Sequence, residues 1–309
     1  MRLPFDSDSV KEALVEKPVV LLKNDDSSSF FDVVLETKLG SNGEVEGIGN
    51  WETQDGALRL LDKRGGLAYE FRGLETRNGC VYAVGRNVLE MPTNGTRRVI
   101  LYPKVSVASG IGICVSSHVE YEEIALPKLL KSLEFDGFDM KKVLVVVGGD
   151  KKDSKAFDTR FNVKIVRRKK NALGFTALCN VDEFAENQYW LLLHDTCDVV
   201  KGFTQNLSSV DVGLNPDMVL IGQPKEYSEI AIYSAAFIRD NSGFTSDVKP
   251  NGYFLGMVAK ARTVMVLNIP MKKEPPKDIY GTGIKRETIV LQSLGIRKFR
   301  GRNMSGGKP

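Results

Sequence analysis

Residues 111–147 read IGICVSSHVEYEEIALPKLLKSLEFDGFDMKKVLVVV, and this stretch decides the fold. Ile111–Val115 is short and wholly apolar, the pattern of a strand buried on both faces. Glu120–Glu134 follows with Ile124, Leu126, Leu129, Leu130 and Leu133 at helical spacing. Pro127 fits that helix only near its first turn. Val143–Val147 is a second buried strand, closed by Gly148-Gly149. Downstream, Asn162–Val166 reads as a third strand, Ala172–Glu186 as a helix, and Tyr189–Leu193 as a fourth strand ending at His194-Asp195. Strands alternating with helices predict βαβ units, a mostly parallel sheet and an α/β domain over residues 105–275.

Working outward, residues 18–104 read as β structure. Val19–Lys23, Phe30–Leu39, Leu58–Leu61, Ala68–Phe71, Val81–Val84 and Val99–Tyr102 are apolar or alternating runs. Asn42-Gly43, Asp55-Gly56, Gly65-Gly66, Asn78-Gly79 and Asn94-Gly95 separate them and suit tight hairpins, where the central residues take positive φ. Residues 1–104 are therefore expected to form a small antiparallel sandwich or barrel. Beyond the α/β domain, Lys272–Lys277 with Pro275-Pro276 is expected to start a looser C-terminal segment, residues 276–309.

The chain has 309 residues, which corresponds to about two domains. Hydrophobic residues are 42% and charged residues 27%, an ordinary globular balance that excludes a disordered chain, a collagen or a disulfide scaffold. No apolar run reaches the ~20 residues that span a bilayer. Residues 1–20 carry Asp6, Asp8, Glu12 and Glu16 and lack a signal-peptide pattern, so a cytoplasmic location is expected. The net charge is +4, too mild for a nucleic-acid-coating protein. It is unevenly placed: residues 285–309 hold seven Lys or Arg against one Glu, and the rest of the chain is slightly acidic. Ile289, Leu291, Leu294, Ile296 and Phe299 within this tail predict that it docks on the α/β domain.

Functional groups in open α/β sheets gather outside the carboxyl ends of the strands. Two such ends are unusual here: Ser116-Ser117-His118 and His194-Asp195-Thr196-Cys197-Asp198. The chain has two histidines, and both fall at these ends. A very apolar strand delivers Asp195 to the edge, with Asp198 three residues on. A hard cation such as Mn²⁺ or Mg²⁺ takes one or two carboxylates plus substrate phosphates. An N-cap of a helix beginning near Cys197 is the structural alternative for Asp195.

Other patterns fail. Cys80, Cys114, Cys179 and Cys197 form no C-x-x-C pair, and Cys114, Cys179 and Cys197 read as small buried apolar residues. Gly110-Ile111-Gly112 precedes its strand, and Gly148-Gly149-Asp150-Lys151-Lys152 lacks the Gly-Lys-Ser/Thr of a phosphate loop. Arg167-Arg168-Lys169-Lys170 reads as a solvated face.

The run from Ile113 to Asp150 resembles the opening of a glycosyltransferase of the GT-A fold, a Rossmann-related sheet with helices on both faces. His194–Asp198 is similar to the D-x-D-type metal motif of that family, though two residues separate its carboxylates and His194 stands where an acid is common. Asn50–Asp62 resembles β modules that accompany sugar transferases of microbes and large DNA viruses. Tyr280–Arg286 and Lys298–Asn303 resemble the tail of the same group. The resemblance implies that Ser116, Ser117, His118, Asp150, Asn171 and His194 border a nucleotide-diphosphate sugar. It implies that Asp195 and Asp198 hold the metal and diphosphate, and that Lys285 and Arg286 close over the phosphates. Asn171 reads equally well as an N-cap of the Ala172–Glu186 helix. An inverting enzyme also needs a carboxylate base, and Glu226, Glu229 and Asp240 flank the apolar run Ile230–Ile238.

The function expected is transfer of a sugar to a glycan or glycoprotein acceptor. Two alternatives remain at this level. A non-enzymatic carbohydrate-binding or assembly protein would use the β domain and tolerate loss of Asp195. A nucleotidyltransferase would show a basic Gly-rich loop after the first strand, which Ser116–Glu120 is not.

Overall fold

The computed structural model describes residues 7–24, 30–77, 80–88, 98–104, 110–171, 173–178, 187–212, 214–223, 226–241, 256–262 and 264–300. The chain divides into two compact units. One comprises Met1–Ser106, Asp211–Pro216 and Arg262–Val266; the other comprises Val107–Val210, Asp217–Ala261 and Leu267–Pro309. Both are thus discontinuous in sequence, a feature that local patterning does not reveal.

The first unit is an antiparallel sheet with a short helix, α1 (Ser7–Ala13). Its strands are β1 (Pro18–Asn24), β2 (Phe30–Lys38), β3 (Glu44–Val45), β4 (Gly49–Gln54), β5 (Ala57–Asp62), β6 (Leu67–Arg77), β7 (Cys80–Asn87) and β8 (Arg98–Pro103). They lie in the order β2-β1-β8-β7-β6-β5-β4-β3. Residues Val264–Val266 add a parallel neighbour to β2. Val19, Leu21, Leu58, Leu60, Phe71, Val99 and Leu101 form its core with Val10 and Leu14 of α1. Asp211 belongs to this unit through its side chain, which accepts from Tyr102 Oη at 2.7 Å with both residues buried. The Asp55-Gly56 hairpin has the expected geometry, with φ of 52° and 71° between the paired residues Gln54 and Ala57. In Asn42-Gly43 and Gly65-Gly66 a single glycine, Gly43 or Gly65, takes positive φ. Asn78-Gly79 and Asn94-Gly95 lie outside the described residues.

The second unit holds β9 (Ile111–His118), α2 (Leu126–Phe135), β10 (Val143–Gly148), β11 (Ser154–Asp158), β12 (Val163–Arg168) and β13 (Tyr189–His194). These are followed by β14 (Cys197–Val199), α3 (Phe203–Ser208), β15 (Met218–Gln223), β16 (Glu226–Ser234) and α4 (Ala235–Asp240). After β17 (Val264–Asn268) come β18 (Met271–Lys277), β19 (Arg286–Leu291) and β20 (Ile296–Arg300). The main sheet of this unit has the order β11-β12-β10-β9-β13-β16-β15. Its centre, β12-β10-β9-β13, is parallel, while β11, β16 and β15 join antiparallel. The sheet is therefore mixed at its flanks. β9, β10 and β13 are buried along nearly their whole length, as apolar runs of this kind must be.

Several elements differ from expectation for local reasons. The helix expected over Glu120–Glu134 begins at Leu126, with Pro127 in its first turn and Leu126, Leu129, Leu130 and Leu133 buried. Proline lacks an N–H and is tolerated only in the first turn, where that donor would have no intrahelical partner, so the helix starts there and turns precede it. Ile124 is accordingly outside the buried stripe and 43% exposed. Of Ala172–Glu186, the described part is a 3₁₀ turn at Leu173–Phe175 and a further turn to residue 178; Ala172 and residues 179–186 lie outside the described residues. β11 is polar and largely exposed, and so carries no hydrophobic signal. The supposed looser segment at Lys272–Lys277 is strand β18, at the end of a second sheet ordered β14-β20-β19-β18. An edge strand tolerates Pro275 and Pro276, and the pairing with β19 is irregular between Glu274 and Lys277. Through β20 and β14 the C-terminal segment packs on its own unit, with Ile289, Leu291, Leu294, Ile296 and Phe299 buried.

Candidate functional site

The chain passes from β9 to β10 to β12 on one side, then returns to place β13 on the other side of β9. The strand order reverses between β9 and β13, where open α/β sheets form a crevice at their carboxyl edge. The parallel register sets Ser116 beside His194 and His118 beside Gly148. A cleft of about 340 Å³ opens at this point, lined by Ser116, Ser117, His118, Glu120, Tyr121, Asn171, Gly174, His194, Asp195 and Thr196.

Asp195 is the most constrained group in the cleft. Its backbone N–H donates to the Ser116 carbonyl at 3.0 Å, and its Oδ2 accepts from Ser117 Oγ at 2.8 Å. Burial pushes its carboxyl up to about 6, against hydrogen bonds from Ser117 and the backbone of Thr196 and His118, which lower it. Ser116 is also buried, and its Oγ accepts from the Ala177 N–H at 2.9 Å, tying the turn after Leu173–Phe175 to β9.

The two histidines are held open by glycines. His118 Nδ1 accepts from the Glu120 N–H at 3.2 Å, and a Cβ at Gly149 would lie 2.4 Å from its Nε2. His118 and Tyr121 form a tilted ring pair at 5.7 Å. Among the described residues His194 Nε2 is enclosed without a hydrogen-bond partner, and a Cβ at Gly174 would lie 2.6 Å from it. Burial, with the charge of Lys298 second, holds the His194 imidazole well below its ordinary value and so neutral.

The structure separates the other expected site residues. Asn171 lines the cleft and accepts from Thr176 Oγ1 at 3.2 Å. Asp150 stands beyond β10, paired with Arg167 at 3.4 Å and bonded to the Lys151 N–H; it is outside the cleft lining. Arg167 is shared with Glu122 at 2.8 Å, which makes it an ion-pair partner and less a solvated charge. Lys285 is exposed and Arg286 buried, and neither lines the cleft. Glu226 and Glu229 lie on β16, which runs antiparallel to β13, so the start of β16 extends toward the carboxyl edge. Asp240 is exposed at the far end of α4, whose first residue bonds back to Gln188 at the amino end of β13, the edge opposite the cleft. The buried thiol of Cys114 is pushed up by burial and that of Cys197 to about 12, so both behave as apolar residues. Cys179 lies outside the described residues.

The expected metal pair is not assembled. Asp198 directs both carboxylate oxygens at Arg297, with Nε and Nη2 each donating at 2.7 Å. Among the described residues no cluster of three His, Cys, Asp or Glu side chains could hold an ion. The donor set therefore fits contact with Asp195 alone and does not fit a cation bridging Asp195 and Asp198.

Patterning missed Tyr121, Gly174, Thr196 and Arg297. Gly174 and Tyr121 gain meaning only once folding brings Tyr121 beside His118 and Gly174 beside His194. Arg297 lay within the recognised basic tail, and the β14–β20 register, which no local signal gives, sets it opposite Asp198.

The chain matches no family model and no curated protein. Among solved structures it is similar to TarS 1-349 of S. aureus in complex with UDP-GlcNAc, at 15% identity and TM-score 0.38, over 54% of this chain and 60% of that one. It is similar to Rv0371c of Mycobacterium tuberculosis H37Rv in complex with manganese, at 13% identity and TM-score 0.38, over 53% and 90%. A mannosyltransferase of Pyrobaculum calidifontis in complex with GDP-Man and Mn²⁺ matches at 12% identity and TM-score 0.38, over 57% and 61%. The chain thus spans less than two thirds of the length of the TarS structures. No helix among the described residues is long and apolar enough to cross a membrane.

Proposed function

We propose that this protein transfers a sugar from a nucleotide-diphosphate donor to a glycan or glycoprotein acceptor. The observation that carries the reading is the convergence of Ser116–His118 and Asp195 on one cleft at the reversal of strand order. His118 and Tyr121 offer flat ring surface suited to a base or ribose, and Ser117, Asn171 and Asp195 offer hydrogen-bonding groups. In the reaction, an acceptor hydroxyl oxygen forms a bond to the anomeric carbon. The bond from that carbon to the diphosphate oxygen breaks, and the hydroxyl proton passes to a base. Glu226 and Glu229 are the base candidates that fit the topology, because β16 carries them toward the carboxyl edge. The neutral His194 offers a hydrogen-bonding ring at the same edge without adding charge.

A form of the reading in which Mn²⁺ or Mg²⁺ bridges Asp195 and Asp198 has no support from Asp198, whose oxygens are taken by Arg297. The β unit is proposed as an acceptor-binding module or a rigid scaffold. The test is release of nucleoside diphosphate from a panel of nucleotide sugars, with simple glycans as acceptors. Turnover that Asp195→Asn abolishes supports the reading; no turnover of any donor by wild type contradicts it.

A further inference from the structure

One face of the antiparallel sheet in the first unit carries a row of charges. Leu58, Leu60 and Phe71 belong to the core, so strand alternation turns Arg59 on β5 and Glu70 on β6 to the opposite face. The register sets Glu52, Arg59, Glu70, Arg86 and Arg98 opposite one another along the adjacent strands β4 to β8. Arg86 and Arg98 thus occupy facing positions, where like charges are destabilising unless an anion offsets them.

Glu70 is the focus of the row. Its side chain is 3% exposed, and three arginines gather on it. Oε1 accepts from Arg72 Nε at 2.7 Å and from Arg86 Nη2 at 3.1 Å. Arg59 Nε lies 3.5 Å from Oε2, and among the described residues it is enclosed without a hydrogen-bond partner. Burial alone would raise the Glu70 carboxyl, but the hydrogen bonds and charges of Arg72 and Arg86 hold it below its ordinary value. It is therefore an ionised anchor.

One carboxylate answers three guanidiniums. Each guanidinium is a planar fork of several N–H donors, and Glu70 takes one from Arg72 and one from Arg86. Arg72 is 70% exposed and Arg86 50% exposed, so donors of both face solvent. The buried anchor holds these forks in place, which lowers the ordering cost of binding an oxyanion. The opposite end of the row is acidic: Glu52 and Asp55 are exposed, and Asp55 lies 3.9 Å from Arg59. A nucleic-acid strand carries a phosphate every ~3.4 Å and is bound by many cations at once. A few arginines bordered by acids suit a polymer of sparser charge.

We propose that Arg59, Arg72 and Arg86, organised by Glu70, form a binding site on the first unit for the carboxylate or sulfate groups of an acidic glycan. The inference gives the chemical class of the acceptor, and for the glycan's role as acceptor it rests on the transferase reading.

The test is calorimetric titration of the full chain with polygalacturonate and with dextran sulfate, which separate carboxylate from sulfate. Dextran is the neutral control and duplex DNA the alternative polyanion. Wild type is expected to bind at least one acidic glycan and not dextran. Removing the arginines alone would strand Glu70, so the first variant combines Arg72→Gln, Arg86→Gln and Glu70→Gln. It is expected to weaken binding by about tenfold or more, since charge-assisted hydrogen bonds are lost. The second variant, Arg72→Lys with Arg86→Lys, keeps the charge and loses the forks. It is expected to weaken binding severalfold, and it decides the matter if the first variant fails to fold. Binding unchanged in the lysine variant, duplex DNA bound as tightly as either glycan, or no binding of either glycan overturns the site. If nucleotide sugars turn over while acidic glycans ignore these arginines, this site falls and the transferase reading stands. If acidic glycans bind through the arginines while no nucleotide sugar turns over, the site stands and the transferase reading falls.

Discussion

Asp198 and Arg297 face each other across the β14–β20 pair and are joined by two hydrogen bonds of 2.7 Å. Three residues before Asp198, Asp195 faces the cleft instead. One short segment thus gives one carboxylate to the site and the other to the anchorage of the C-terminal sheet.

Breaking that anchorage has a defined cost. Asp198 is buried and Arg297 is partly exposed, so removing one partner strands a charge that is only partly reached by water. Asp198→Asn is expected to destabilise by about 1–3 kcal/mol, less than a fully buried pair would lose. Arg297→Gln added to it should restore part of the loss, because no charge then remains unpaired. Denaturant melts of the two singles and the double check this; strictly additive losses would show that the pair does not act as a unit.

The titration of Asp195 gives a pH signature. Its folded value of about 6 lies above the ordinary 3.8, so the folded protein binds a proton more tightly than the unfolded chain. The stability this contributes is present below about 3.8 and is lost as pH rises through about 6. The difference in stability between wild type and Asp195→Asn should therefore fall by roughly 2–3 kcal/mol between pH 4 and pH 7. Paired melts across that range measure it, and a pH-independent difference would contradict the burial of this carboxyl.

The glycines beside the histidines separate strain from occlusion. Gly149 has φ of 81°, and its Cβ would strike His118, so Gly149→Ala is expected to cost roughly 1–3 kcal/mol and to displace the ring. Gly174 carries no positive φ, so Gly174→Ala should cost less stability while moving His194 into the cleft. Melting curves and nucleotide titrations of the two variants test the contrast. Equal stability loss in both would indicate that His194 cannot give way.

In the first unit, Tyr102→Phe removes the donor to buried Asp211. A loss of about 1–3 kcal/mol is expected, since the carboxylate keeps its desolvation cost without this hydrogen bond. A neutral substitution, measured by denaturant melt, would show that Asp211 finds other partners.

The parallel centre of the α/β sheet was legible because β9, β10 and β13 are buried on both faces and their apolar runs say so. Ser116–His118 and Asp195 were legible for the same reason: apolar runs ended abruptly in polar residues at a predictable edge. The start of α2 was misjudged by patterning alone, since turns over Val119–Ala125 continue the helical spacing that Pro127 interrupts. β11 escaped notice because an exposed edge strand needs no apolar face. The separation of Asp198 from Asp195 was not legible at all. It depends on a pairing between residues 99 apart in the chain, which spacing does not encode.

The most direct measurement of the central claim is a thermal-shift titration of the full chain with nucleoside diphosphates and nucleotide sugars, with and without Mn²⁺. A ligand bound at a hundredfold excess over its Kd adds about 2.7 kcal/mol of stability, which a melt resolves easily. The expected result is a saturable rise in Tm with at least one of these ligands, lost in Asp195→Asn. No rise with any of them at saturating concentration would contradict the assignment of the Ser116–Asp195 cleft as a donor site.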